Sequence, residues 1–267
     1  MFPKIIHLIY WNFQDNKPMP KKWLENYNKW KKLNPIHIVK LWNYDDCLNL
    51  LKTKYPFFVK YYLNYKYHIQ RVDSIRYFIL YEYGGIYTDL DIEPLYPLDT
   101  LLNLYENDNK INLLLSESSQ SIYWNGISNY FIISKSKINF WKLVFKELIK
   151  KNNSNYFLKS LTVFKTTGPF FLGNIYKKNK KNIYIIPLKI LGDCDVCKVC
   201  NKNHFKFFIN KNDNSWGNKD SKLFMILYCH KYEIKIIIIT IIIMIITNHI
   251  YKIKKYCNFN NKYLNFI

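Results

Sequence analysis

Alanine is absent from this chain of 267 residues and glycine occurs only 7 times, while Lys, Asn, Ile, Tyr and Phe crowd it. So skewed a composition weakens the first reading of the formal charge of +21, which is a polyanionic partner. Basic residues are spread over the whole length, and no RNA-binding or helix-turn-helix signature accompanies them, so no nucleic-acid partner is expected. Residues 1–13 lack the ordered basic start, long apolar core and small-residue cleavage site of a signal peptide, and read instead as a buried first strand. Without such a peptide, 6 cysteines do not establish an oxidising compartment. Long hydrophobic runs are also scarce: the isoleucine-rich stretch Ile236 to Ile246 makes only ~17 Å of helix at ~1.5 Å per residue, against ~30 Å of hydrocarbon.

What is present centres on residues 69–93. Ile69, Val72, Ile75, Ile79 and Tyr83 recur at spacings of three and four, which predicts a helix with one buried stripe. Gly84 and Gly85 end it, with a left-handed glycine cap as the expected device. Ile86 to Thr88 have strand character, and Asp89 and Asp91 follow. In extended chain these two carboxylates share one side while Leu90 faces the core. Such hard oxygen ligands suit Mg²⁺ or Mn²⁺, and Glu93 is placed to join the same face. Asp73 and Arg76, three apart, share a helical face distinct from the apolar stripe; an ordinary ion pair is the plainer account of those two alone.

The string Asp73-Ser-Ile-Arg76 followed by Tyr83-Gly-Gly-Ile-Tyr-Thr-Asp-Leu-Asp91 resembles the signature of the DXD-containing sugar-binding glycosyltransferases of family 32. That group includes fungal Golgi α-1,6-mannosyltransferases and is distantly similar to the large clostridial glucosylating toxins. The resemblance covers roughly residues 3–217. It implies a GT-A-type α/β fold, a mixed sheet flanked by helices. It also implies a metal held by Asp91 and Asp89, with Asp73, Arg76 and Tyr87 on the donor. Tyr10 or Trp11, after Pro3-Lys-Ile-Ile-His7, is the implied stacking residue for the nucleotide base, with His7 as a nearby support. Asn129 is the implied sugar contact, and the Thr166-Thr-Gly168-Pro169 turn lies under the acceptor side. Ser215 and Trp216 are the implied lid over the donor diphosphate, although the histidines usual before that pair are missing.

The remaining pattern of strands and helices argues for a sheet with helices packed on it. Predicted strands are 36–42, 111–116, 130–134 and 183–187; predicted helices are 20–33, 44–54 and 137–151. Cys194, Cys197 and Cys200 with His204 carry zinc-ligand residue types, but spacings this tight without a distant second pair fit zinc modules poorly. Free or locally bridged cysteines are the competing account.

Two parts are therefore expected, a catalytic domain over 1–230 and a basic, Ile-rich tail over 231–267. The tail is a candidate for membrane contact through 236–250, flanked by Lys235, Lys252, Lys254 and Lys255 suited to snorkelling; a buried element or low-complexity drift competes. Location is then membrane-associated, Golgi-like by the resemblance, or cytoplasmic. The expected activity is metal-dependent, retaining transfer of a hexose from a nucleotide-diphosphate sugar to a glycan, lipid or protein acceptor. The alternatives are a catalytically idle sugar-nucleotide-binding protein and a basic nucleic-acid-binding protein.

Overall fold

The structure, a computed structural model, describes residues 1–12, 18–105, 108–118, 126–191, 207–210, 222–223, 226–227 and 229–264. The chain divides into two compact units, Met1–Asn218 and Lys219–Ile267.

The first unit is built on a sheet of six strands in the order β2-β1-β3-β6-β5-β7. These are β1 (Ile5–Ile9), β2 (Ile38–Trp42), β3 (Gly85–Thr88), β5 (Leu113–Glu117), β6 (Ile127–Ser134) and β7 (Ile183–Ile186). Strand β1 runs parallel to β2 and β3, β6 is antiparallel to β3 and β5, and β5 is parallel to β7. The short β4 (Ile92–Pro94) pairs antiparallel with β8 (Phe208–Asn210) beside it. This is the mixed α/β sheet flanked by helices expected from the sequence.

Period-two alternation puts each strand's side chains into two cores. Ile86, Leu114, Phe131 and Ile133 enter one, with Trp30 of α1 (Lys21–Leu33) and Leu98 of α5 (Leu98–Leu102). Tyr87, Leu113, Leu115 and Ile132 enter the other, beneath α2 (Tyr44–Lys54), α3 (Pro56–Asn64), α4 (His68–Tyr83), α6 (Asn139–Lys151) and α8 (Pro169–Lys178). Helix α7 (Lys159–Thr166) leads into α8, and the single-turn α9 (Leu188–Leu191) follows β7. The aromatic stretch after α2 is helical, opening with Pro56 in the first turn where a missing N–H costs nothing. Asn43 and Asp46 cap α2 reciprocally: each side chain accepts the other's backbone N–H, at 2.8 and 3.1 Å.

Helix α4 departs from the single-stripe expectation. Every residue from Asp73 to Leu80 is buried, while Tyr83 is 39% exposed and Val72 is only half-buried. The sheet lies on one side of this helix and α3, α6 and α7 on others, so its polar face is enclosed as well. The glycines after it also differ in detail. Gly84 has φ 64° but ψ −153°, outside the left-handed helical region, and Gly85 has φ 86°. A Cβ on Gly85 would stand 2.4 Å from the Ile5 carbonyl oxygen, so side-chain bulk is excluded where β3 enters beside β1. His7 pins the same junction. Its Nε2–H donates to Gly84 O at 2.9 Å and its Nδ1 accepts from Trp42 Nε1 at 3.1 Å.

The second unit contains α10 (Lys231–Leu264), 34 residues long. Within it Tyr232–Lys252 is a 21-residue stretch long and apolar enough to cross a membrane by length and composition, with none of it buried. The expectation of a stretch too short to span is thereby corrected. Counting only the isoleucine run omitted Tyr232, Thr247 and the other uncharged residues that extend the apolar window to about 31 Å at ~1.5 Å per residue.

Candidate functional site

Parallel strands β1 and β3 end together, with His7 opposite Tyr87, so Tyr10 and Asp89 leave the same edge of the sheet. Carboxyl ends of strands in open α/β sheets are where ligands bind. Beneath that edge α4 presents Asp73 and Arg76, one turn apart.

The structure brings five of the expected residues into one connected network. Arg76 Nη2 lies 2.6 Å from Asp73 Oδ1, and Arg76 Nη1 lies 3.3 Å from Asp89 Oδ1. Nη1 also donates to the Asn129 carbonyl at 2.7 Å, and the guanidinium carbon sits 4.4 Å from the Tyr87 ring centroid. Tyr87 donates its hydroxyl proton to Asp89 Oδ1 at 2.6 Å, and Asn129 Nδ2 donates to Asp73 Oδ1 at 3.1 Å. Two carboxylates thus share one planar cation, a geometry that suits guanidinium better than ammonium. Asp73 is buried, and that burial pushes its carboxyl up to about 6 against the opposing pull of Arg76. The Asp89 side chain, 33% exposed, is the acidic member that reaches towards solvent.

The Asp89–Asp91 segment is not extended. Strand β3 stops at Thr88, and Asp89 N donates to Tyr130 O while Ile92 N donates to Asp89 O at 3.2 Å, so the segment is a turn between β3 and β4. Leu90 is buried in it, as expected, its carbonyl accepting from Asn26. Glu93 does not join the pair: it lies in β4 and bonds Lys29 of α1. Pairing with β8 fixes its direction, which the acid spacing could not show. Among the described residues no group of three or more His, Cys, Asp or Glu could hold a metal ion. Two carboxylates on a turn at the strand ends still fit a hard divalent cation whose other ligands are phosphate oxygens and water.

Tyr10 and Trp11 part company. Tyr10 packs edge-on to Trp23 at 6.0 Å between ring centroids, against one core, and Trp11 edge-on to Tyr44 at 5.8 Å, against the other. Ser215 and Trp216, and Cys194, Cys197, Cys200 and His204, lie outside the described residues. Thr167 went unrecognised as part of the site: its Oγ1 donates to Asp73 Oδ2 at 3.1 Å. The Thr-Gly-Pro turn was visible in the sequence, but nothing in it gave the distance to a residue 94 positions earlier.

Residues 20–109 match the family described as "Glycosyltransferase sugar-binding region containing DXD motif". Over that region the chain is similar to this family. Among curated proteins the chain is 32% identical over 232 residues to the mannosyl phosphorylinositol ceramide synthase SUR1 of Saccharomyces cerevisiae, covering 86% of this chain and 56% of that one. It is 29% identical to the uncharacterized glycosyltransferase L373 of Acanthamoeba polyphaga mimivirus, covering 89% of this chain and 92% of the relative. The chain thus spans about half the length of the yeast relative, 56%. Among solved structures, the PaToxG glycosyltransferase superposes with a TM-score of 0.49 at 15% identity, over 67% of this chain and 70% of that one.

Proposed function

We propose that the chain is a metal-dependent, retaining glycosyltransferase that moves a hexose, mannose by its relatives' names, from a nucleotide-diphosphate sugar to a lipid-borne inositol phosphate headgroup. The observation that carries the reading is the network of Asp73, Arg76, Tyr87, Asp89 and Asn129 at the carboxyl edge of β3. The relatives' names supply the sugar and the acceptor class, and the exposed apolar stretch Tyr232–Lys252 is consistent with an acceptor held in a membrane.

Asp91 and Asp89 would hold Mn²⁺ or Mg²⁺, which when bound would supply neutralisation of the charge on a departing diphosphate. Tyr87 and Arg76 hold Asp89 Oδ1, which fixes the carboxylate's orientation before any ligand arrives. Asp73 and Asn129 offer acceptor and donor groups to sugar hydroxyls. Tyr10 or Trp11 stacks on the base, and Ser215 and Trp216 are assigned to the diphosphate by the family resemblance. Asp73 is bound by Arg76, Asn129 and Thr167, which disfavours it as a covalent nucleophile. Attack is therefore assigned to the acceptor hydroxyl on the face the diphosphate leaves: its oxygen bonds the anomeric carbon, the carbon–phosphate-oxygen bond breaks, and its proton passes to the departing phosphate. Trapping a glycosyl-enzyme adduct would overturn that assignment.

The test is Mn²⁺-dependent hydrolysis of GDP-mannose and UDP-hexoses by the full chain beside Asp91→Asn. Consumption of one donor by the wild type, reduced at least a hundredfold in the variant, supports the reading. A folded protein that consumes none, yet binds one by calorimetry, is an idle sugar-nucleotide-binding protein instead.

A further inference from the structure

We propose that Thr167 is a positioning residue for Asp73, so that the corner joining α7 to α8 sets how that carboxylate faces the donor sugar. The inference rests on the glycosyltransferase reading above. Asp73 Oδ1 is held by Arg76 at 2.6 Å and Asn129 at 3.1 Å. Oδ2 is held by Thr167 Oγ1 at 3.1 Å. A carboxylate gripped at one oxygen rotates about its own bond axis; gripped at both, it does not.

The corner is built for that contact. Thr167 Oγ1 also lies 3.3 Å from the Val163 carbonyl, but a hydroxyl has one proton, and the carboxylate is the stronger acceptor. Gln70, Asp73 and Tyr77 stand on one face of α4 at spacings of three and four. All three bind the same corner: Gln70 Nε2 donates to Thr166 Oγ1 at 2.8 Å, and Tyr77 Oη to Thr167 O at 2.7 Å. Gly168 completes it, since a Cβ there would lie 3.1 Å from Phe164 Cα and 3.5 Å from Asp73 Oδ2. Thr166 and Thr167 are both fully buried, so neither hydroxyl has water as an alternative partner. The segment placed on the acceptor side by family resemblance is thereby tied to a donor-side residue.

The test compares full-chain wild type, Thr167→Val and Thr167→Ser. Valine keeps the shape and removes the donor; serine keeps the hydroxyl. Losing a hydrogen bond to a charged group corresponds to about a ten- to hundredfold effect. We expect KM for GDP-mannose hydrolysis to rise by that factor in Thr167→Val with kcat within about threefold, and KM to return in Thr167→Ser. An unchanged KM in the valine variant, or a loss the serine does not rescue, overturns the proposal. If the wild type hydrolyses no donor, the transferase reading fails on its own. The positioning is then read from ¹³C carboxyl shifts assigned with Asp73→Asn: the Asp73 titration moves upward in Thr167→Val and returns in Thr167→Ser. No movement in that titration overturns the positioning as well.

Discussion

Arg76 lies over the face of Tyr87, its guanidinium carbon 4.4 Å from the ring centroid, and both side chains bind the same Asp89 oxygen. Arginine contributes through its edge to Asp73, Asp89 and the Asn129 carbonyl, and through its face to the ring. Both residues are almost fully buried, at 2% and 1% exposure, so these contacts act where water does not compete.

Removing only the Tyr87 hydroxyl separates its two roles. Tyr87→Phe keeps the ring under Arg76 and deletes the bond to Asp89. Donor turnover is expected to fall about tenfold, and stability by about 1.5–3 kcal/mol, in line with the loss of one hydrogen bond to a charged group. A fall of more than about 3 kcal/mol in stability, with turnover intact, would assign the hydroxyl to folding instead.

Arg76→Met strands the buried Asp73 carboxylate, and breaking a buried pair this way typically costs about 3–5 kcal/mol. Chemical denaturation at pH 7 reads it directly. Asp73→Asn in the same chain should return part of the loss, because the uncompensated charge is then gone. Arg76→Lys should be inactive, since an ammonium cannot contact Asp73, Asp89 and the Asn129 carbonyl from one plane.

His7 makes acid stability measurable at a single group. Burial lowers its pKa from 6.5 to about 4, with Lys40 adding to the fall and the Gly84 carbonyl opposing it. The folded state therefore binds the proton less readily than the unfolded chain. The His7 contribution is fully present above pH 6.5 and is lost as pH falls towards 4, by about 3 kcal/mol in all. His7→Gln keeps a donor and an acceptor but gains no proton, so its stability should fall less steeply across that window. Parallel slopes in the two proteins would refute this.

Gly85→Ala places a methyl 2.4 Å from the Ile5 carbonyl oxygen at φ 86°. Backbone cannot yield there without parting β1 from β3, and a loss of about 3 kcal/mol or more is expected in thermal or urea unfolding. Gly126→Ala is the control: its φ is 75°, yet nothing lies within 4 Å, so only the dihedral cost of about 1 kcal/mol remains.

Much of the fold was legible because periodicity follows from burial on one face. Strands β1, β2 and β7 and helices α1, α2 and α6 sit within a few residues of where alternation and 3.6-residue spacing put them. Helix α4 misled in one respect: five aliphatic and aromatic positions traced a stripe, but enclosure on several sides also buried Gln70, Asp73, Ser74 and Arg76. Periodicity reports a contrast between faces and is silent where no face meets water. The tail misled in another, because a run of one residue type is shorter than the apolar stretch containing it.

By itself, the sequence determined the ordered run from Asp73 to Asp91, the glycine break at Gly84-Gly85 and the residue types able to bind a cation and a sugar nucleotide. Those are local properties, set by spacing and backbone freedom within a few turns of chain. Only the tertiary structure decided that Asp89 and Asp91 sit on a turn, that Glu93 faces Lys29, and that Thr167 reaches Asp73. Each depends on how strands pair and helices pack across tens of residues, and long-range pairing leaves no mark in local spacing.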